Sequence, residues 1–350
     1  MTLKGLAHHL GLSPATISLV INHSPAARSI PTTTKDRILL AARELNYRPN
    51  PLARSLRSRR SSTIGVLLPE ISEGYIAQIL SGADSYLLNE GYFFLVTSYR
   101  TKPQMLGEYL HILQERLVEG LIVLNTPLET SPPLPTVAVA GHRQLKGVTN
   151  VVVDHDRAAY LALSHLAQLG HERIAFFKGH AKSADTEDRW RAITMAATNL
   201  GLKVRPHLVL QLEGPPGAAA FTPEEGYREG YEFGRKLLGR RVPFSSLFAF
   251  NDLSAIGAIR AFNDAGYTVP GDISVVGFDD IESAAFQNPR LTTVRQPLGE
   301  MGEIAARTLL NRIRGTEVPD TIMVEPVLVN RESVAPPAAR ISRRRGGDAS

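Results

Sequence analysis

The sequence predicts two structural classes in one chain: a small all-α helix-turn-helix head and a larger α/β body of two lobes built on parallel sheets. Three observations predict this. Residues 1–60 hold ten Lys or Arg against two acids, a charge of +8, whereas the whole chain carries +5, so the remaining residues sum to −3. Short amphipathic stretches separated by glycine and proline fill the region before Tyr47. From Thr63 onward, apolar runs alternate with helical stretches, the β-α-β-α pattern of open parallel sheets. A basic head on a mildly acidic body implies that the head meets a polyanion.

The head reads as three helices. Thr2 is an N-cap for a helix through about His9, with Leu3, Leu6, Ala7 and Leu10 on one stripe. Gly11 permits a sharp turn. Ser13 caps a second helix, with Pro14 at its first position, where the missing N–H costs nothing. That helix runs to about Ile21, and Ile17, Val20 and Ile21 face inward. A third begins after Pro31 and carries Ile38, Leu39, Ala42 and Leu45. Two short helices joined by a tight glycine turn form a helix-turn-helix, whose second helix enters the DNA major groove. Its outward residues would be Ser13, Ala15, Thr16, Ser18, Leu19 and Asn22, small groups suited to phosphate and base-edge contacts. The plain alternative is a helical cap on an enzyme.

Pro49 and Pro51 end the third helix, and Asn50 can cap a short helix through Leu52, Ala53 and Leu56. Such a piece is too short and too charged to be stable alone. Arg54 and Arg57 can reach phosphates. Leu56 suits either a wedge between base steps or packing against the body.

In the body the strands are expected at Ile64–Leu68, Phe93–Val96, Gly120–Leu124, Val137–Ala140, Asn150–Val153, Ile174–Phe177, Leu247–Phe250 and Ile273–Val276. Helices are expected at Ala77–Asn89, Gly107–Arg116, Arg157–Leu169, Arg189–Asn199, Tyr227–Leu238, Ser254–Ala265 and Glu300–Arg314. Ligands of such sheets bind beyond the carboxyl ends of the strands. Asn251, Asp279 and Arg189 fall there and suit a hydroxyl-rich or polar small molecule. Asp252 and Asp280 are read as caps of the following helices. Tyr75, Trp190 and Phe221 are candidates to stack on a sugar or purine ring, against the plain reading of packing.

A chain 43% hydrophobic and 21% charged can form large cores. It contains no cysteine, which excludes disulfides and thiol catalysis. No apolar run reaches the ~20 residues of a membrane span, and a secretory signal pattern is absent, so a cytoplasmic location and no membrane partner are expected. Neither a Walker-A lysine loop, a nucleophile elbow nor an H-E-x-x-H pair occurs, so no catalytic residue, metal or cofactor is expected and the chain is read as a non-enzyme. The tail from Ala335, with Arg343, Arg344 and Arg345, is expected to be disordered.

The strings SPATISLVIN, ARELNYRPNPLARSLR, TIGVLLPEIS, LVEGLIV, LGHERIAFF, FAFNDLSAIGAIRAF, VPGDISVVGFDD and LTTVRQPLGEMGEIAARTLL occur in that order. Together they resemble the LacI/GalR family of bacterial transcriptional regulators over roughly residues 3–334. The resemblance implies a body like the type I periplasmic binding proteins and a homodimer or higher assembly. It also implies a pseudo-palindromic double-stranded DNA operator, with Leu56 as the leucine that opens its central step. Ser13, Thr16 and Asn22 match the family's helix-turn-helix pattern. Pro14 and Ala15 stand at its most variable positions, and Leu19 where relatives usually present Arg. Direct readout would therefore be thin, with more weight on thymine methyls, phosphates and DNA shape. For the effector the resemblance points to Arg189, Asn251, Asp279, Leu298 and the loop Pro69–Tyr75. His142 stands where many relatives have Asp.

The expected organisation is a head at 1–48, a hinge helix at 49–61, a body at 62–334 and a tail at 335–350. The two lobes are expected at roughly 62–160 plus 291–320 and 161–290 plus 321–334. The expected function is a DNA-binding transcriptional regulator, a repressor in sense, whose operator affinity answers to a small molecule. A sugar or sugar derivative leads and a nucleobase follows. The alternative is a cytoplasmic sugar-binding or sugar-modifying α/β protein with a basic interaction module.

Overall fold

The computed structural model describes residues 1–22, 24–47, 60–72, 74–99, 102–141, 143–181, 183, 185–213 and 222–338. The chain divides into two units, Met1–Ser62 and Thr63–Ser350.

The first unit holds helices α1 (Leu3–Leu10), α2 (Pro14–Ile21) and α3 (Thr32–Glu44). Thr2 caps α1 by accepting from the Gly5 amide at 3.1 Å. The helix ends at Gly11, whose φ of +61° is left-handed and cheap only for glycine. Ser13 caps α2 from the Thr16 amide, with Pro14 in the first turn. A 3₁₀ turn at Pro25–Ser29, where the sequence predicts no element, repeats the same device, Ser24 capping and Pro25 opening. Leu6, Ala7, Ile17, Val20, Ala27, Ile38 and Ala41 form the core. Ile21, Leu39, Ala42 and Leu45 are only partly buried against it, because so small a unit cannot enclose every apolar side chain. Arg37 donates from Nη2 to the Leu10 carbonyl at 2.8 Å. This satisfies an orphan acceptor at the end of α1 and ties α3 to it.

Among the described residues, the second unit contains two six-stranded sheets. The first joins β1 (Thr63–Leu68), β2 (Phe93–Ser98), β3 (Gly120–Leu124), β4 (Thr136–Val139), β5 (Val148–Val153) and β11 (Thr321–Val324) in the order β11-β5-β4-β3-β1-β2, all parallel. The second joins β6 (Ile174–Lys178), β7 (Val209–Gln211), β8 (Ser246–Phe248), β9 (Ser274–Asp279), β10 (Thr292–Arg295) and β12 (Val327–Val329) in the order β12-β10-β9-β8-β6-β7. Only β12 runs antiparallel, against β10.

This pairing corrects the expected lobe boundaries. Val294 of β10 sits beside Phe278 of β9, so residues 292–295 belong to the second lobe. Met323 of β11 sits beside Val152 of β5, so residues 321–324 belong to the first. Helix α6 (His155–Gln168) packs against β10, β12 and α7 (Thr186–Asn199), which moves the first crossover to about residue 154. Strands of three or four residues carry too little local pattern to reveal their sheet; non-local pairing decides it.

The remaining helices are α4 (Gly74–Asn89), α5 (Leu106–Glu115), α8 (Pro223–Gly239), α9 (Asp252–Asp264), α10 (Glu282–Phe286) and α11 (Leu298–Ile313). Several start about three residues before the apolar period begins, because their first turn is polar and set by a cap. Asp154 caps α6, and capping boxes Thr222/Glu225 and Asn251/Ser254 open α8 and α9. In each lobe one helix pair touches backbone to backbone. A Cβ on Gly82 of α4 would overlap the Gly299 carbonyl of α11, and one on Gly257 of α9 would overlap the Tyr227 carbonyl of α8. These rigid pairs flank the sheets whose strand ends carry the candidate site.

Candidate nucleic-acid interface and ligand cleft

The amino-terminal turn of α2 presents a small polar and apolar surface. Ser13, Pro14, Ala15 and Asn22 are exposed, and Thr16 and Ser18 are half-buried. The Ser13 hydroxyl, which opens the helix by accepting from the Thr16 amide, also lies 2.9 Å from the Thr16 hydroxyl, and both sit at the helix's positive end. Asn22 donates from Nδ2 to the Ser18 carbonyl at 2.8 Å and to its hydroxyl at 3.2 Å, which closes the helix and orders the amide. Leu19, expected to face outward, is half-buried against the head's core. Asn50, Arg54, Leu56 and Arg57 lie outside the described residues.

In the second unit, a cavity of about 60 Å³ is lined by Gly74, Tyr75 and Asn125 from the first lobe. Ser183, Asp185, Arg189, Phe250, Asn251, Leu253, Asp279 and Ile281 line it from the second. Each lining group follows the carboxyl end of β1, β3, β6, β8 or β9. The cavity's volume is well below the roughly 300–1,000 Å³ of small-molecule sites, so the cleft is narrow here.

Arg189 is 4% exposed. It donates to the Phe250 carbonyl at 2.6 Å and to Asp185 at 3.0 Å, with its guanidinium 4.3 Å from the Phe250 ring centroid and 3.8 Å from that of Phe278. It is the cement of the second lobe's half of the cleft. Asp185 also lies 3.6 Å from His155 Nε2.

Strand β9 ends at Asp279, φ +112°, and Asp280 follows it at φ +59°; these two left-handed residues send the carboxylates to different partners. Asp279 faces the cleft and accepts from Gln296 Nε2 at 2.7 Å. Burial pushes its carboxyl up to about 7, and the Asp185 charge pushes the same way, against the pull of Arg189 and the Gln296 bond.

The expected capping roles of Asp252 and Asp280 are not what the structure has. Asn251 caps α9, accepting from the Ser254 amide at 2.9 Å. Asp252 is fully buried and accepts from the Ile281 amide and the Thr293 hydroxyl, joining α9 to β10. Burial first, and the Asp279 charge next, hold its carboxyl well above the usual range. Asp280 pairs with Arg295 and Arg331, each at 2.6 Å, and α10 has no side-chain cap.

The cleft therefore brings together Tyr75, Arg189, Asn251 and Asp279. Leu298 is 1% exposed in the core and absent from the lining. Trp190 packs edge-on against Phe176 at 5.8 Å. His142 and Phe221 lie outside the described residues. Asn125, Ser183, Asp185 and Phe250 were missed. Asn125 follows an apolar strand as Asn251 does, and Asp185 stands four residues before Arg189, a helical pairing distance.

Residues 2–50 match the family described as bacterial regulatory proteins, lacI family, and residues 163–334 match a periplasmic binding protein-like domain. The HTH-type transcriptional repressor PurR of Haemophilus influenzae is 30% identical over 346 residues, covering 95% of this chain and 98% of that protein. The lac repressor dimer bound to operator and the anti-inducer ONPF is 25% identical, with a TM-score of 0.84 over 96% of this chain and 99% of that one. The transcriptional regulator CelR in complex with cellobiose is 28% identical, with a TM-score of 0.66 over 95% of this chain and 99% of that one.

Proposed function

The chain belongs to the lacI family of bacterial regulatory proteins, and from that premise we propose how its parts divide the work. It is a DNA-binding transcriptional regulator, a repressor in sense, controlled by a small molecule. The head of each subunit of a homodimer reads half of a duplex operator. Ser13, Thr16, Ser18 and Asn22 meet phosphates and base edges, and Pro14, Ala15 and Leu19 lie against thymine methyls. Asn50, Arg54, Leu56 and Arg57 supply the contacts of the connecting segment. The dimer contacts fall on exposed apolar side chains of the body, Phe93 at 69% and Phe286 at 82% exposure.

The effector binds between the lobes. The observation that carries this is the convergence of Asn125 from one lobe with Asn251, Ser183 and Asp279 from the other at the ends of parallel strands. Arg189 donates to Asp185 and the Phe250 carbonyl and keeps a buried Nε without a partner among the described residues, so the cleft offers amides, a hydroxyl and carboxylates beside a cation already neutralised by Asp185. This chemistry favours a neutral hydroxyl-rich molecule over a phosphorylated one, and the cellobiose complex of CelR supports the sugar reading. The effector acts only by its differential affinity for two arrangements of the lobes. Moving occupancy from mostly bound to mostly free takes roughly 5 kcal/mol of such difference.

The relatives are transcriptional regulators rather than enzymes, and we read this chain as non-catalytic. Among the described residues no helix is long and apolar enough to cross a membrane; we place the protein in the cytoplasm, where its DNA is. Fluorescence anisotropy with DNA from the chain's own upstream region tests the reading. It expects sequence-selective, salt-sensitive binding that vanishes when residues 1–60 are deleted while sugar binding persists. Equal affinity for unrelated DNA would overturn it.

A further inference from the structure

A larger cavity lies in the first lobe, outside the cleft. Its volume is about 410 Å³, within the roughly 300–1,000 Å³ of small-molecule sites. The β3–β4 and β4–β5 connections cover it, and among their described residues no crossover helix fills the space. Thr126, Pro127, Leu128 and Glu129 come from the first connection, and Gly141, Arg143 and Leu145 from the second. Ala138, Val148 and Asn150 come from the strands.

Three features give the cavity a chemistry. Pro127, Leu128, Ala138, Leu145 and Val148 provide apolar walls. Asn150, 2% exposed, donates from Nδ2 to the Arg143 carbonyl at 3.2 Å. Its Oδ1 has no donor among the described residues; a Cβ on Gly141 would come within 2.9 Å of that oxygen, so the glycine keeps it clear. At the rim stand the exposed side chains of Arg143 and Glu129, which form no ion pair among the described residues. A buried acceptor, apolar walls and opposite charges at the rim match a zwitterion with an apolar body and a hydrogen-bond donor at its far end.

We propose that this cavity is a second small-molecule site, separate from the effector cleft, that takes a free phenolic amino acid. Arg143 receives the carboxylate, Glu129 the ammonium, and Asn150 Oδ1 the donor at the tip of the side chain.

Calorimetry on the full chain with tyrosine as the probe tests this. Saturable binding is expected, weakened about tenfold by Arg143→Ala, the loss of one charge-assisted contact. Glu129→Gln should weaken it several-fold, and phenylalanine, which lacks the hydroxyl, should bind more weakly than tyrosine. Leu145→Trp, filling the cavity, should abolish binding with the circular dichroism spectrum unchanged, whereas Ser183→Trp in the cleft should not affect it. Arg143 and Glu129 are exposed, so their variants test the site even if Leu145→Trp fails to fold. The proposal is overturned if tyrosine does not bind, or if binding is lost with Ser183→Trp and kept with Arg143→Ala. It is equally overturned if para-hydroxyphenylacetate, which has no ammonium, binds as tightly as tyrosine.

Discussion

The guanidinium of Arg189 donates to the backbone carbonyl of Phe250 at 2.6 Å while lying 4.3 Å above the same residue's ring. One side chain thus fixes the end of β8 to the start of α7, and its second nitrogen neutralises Asp185. The arginine that the sequence offers as a ligand-binding group is held by the protein itself through two of its nitrogens, and its buried Nε has no partner among the described residues.

Arg189→Ala is therefore expected to destabilise the second lobe rather than merely to blunt the effector response. Breaking a buried pair by removing one partner costs about 3–5 kcal/mol, because it leaves Asp185 buried without its counter-charge. Thermal denaturation should show a fall of several degrees. Asn125→Gly, which removes a cleft amide from the other lobe and suits the left-handed φ of +42° there, should leave the melting temperature close to that of the parent and weaken effector binding. Equal melting temperatures for the parent and Arg189→Ala would show that the guanidinium is not structural.

The Asp279 carboxyl gives the ligand-free protein a defined pH response. Its folded pKa, about 7, exceeds the free value of 3.8. Its contribution to stability is then complete below 3.8 and is lost as pH rises through 7. Asp279→Asn should flatten this part of the stability profile and raise the melting temperature on the alkaline side. Chemical denaturation across that window checks it; a parent profile rising with pH there would contradict the assignment.

Effector affinity should run the other way. Hydroxyl groups donating to Asp279 favour its ionised form, so binding should tighten as pH rises through about 7, by up to about tenfold per unit below that value. Isothermal titration over that range reads the slope directly, and a pH-independent affinity would remove Asp279 from the contact.

Ser13→Ala removes the cap of α2 and should cost about 1 kcal/mol of head stability. It also deletes a hydroxyl at the proposed phosphate contact. Operator and nonspecific DNA should both weaken, with a shallower salt dependence only if that contact is charge-linked. Comparison with Ser13→Asn, which keeps the cap, separates the two effects: restored melting without restored DNA affinity marks the hydroxyl as a contact.

Phe286→Glu places a charge where an exposed ring stands on α10. Sedimentation should show a shift from dimer toward monomer, and operator affinity should fall steeply because one head meets only half a site. An unchanged dimer would move the interface elsewhere.

Much of this arrangement is legible from residues alone where the determinant is local. Ser13-Pro14 marks α2, Gly11 marks the turn, and the run before Asn251 marks a strand end. Apolar periodicity begins after the capped polar turn, so the helices expected from Arg157, Tyr227 and Ser254 open earlier, at His155, Pro223 and Asp252. What sequence does not reveal is decided by partners far along the chain. Thr292–Arg295 reads as nothing until Val276–Asp279 lies beside it. Asp252 looks like a cap until Thr293 and the Ile281 amide claim it. Leu298, placed in the cleft by resemblance, is drawn into the core because α11 packs against α4.

The most direct measurement is the affinity of the full chain for its upstream DNA, by anisotropy at fixed salt, with and without a neutral sugar that raises the protein's melting temperature. The account predicts at least a tenfold change in affinity for the parent, in either direction, and none for Asn125→Gly at the same sugar concentration. A sugar that binds the parent and leaves its DNA affinity untouched would contradict it.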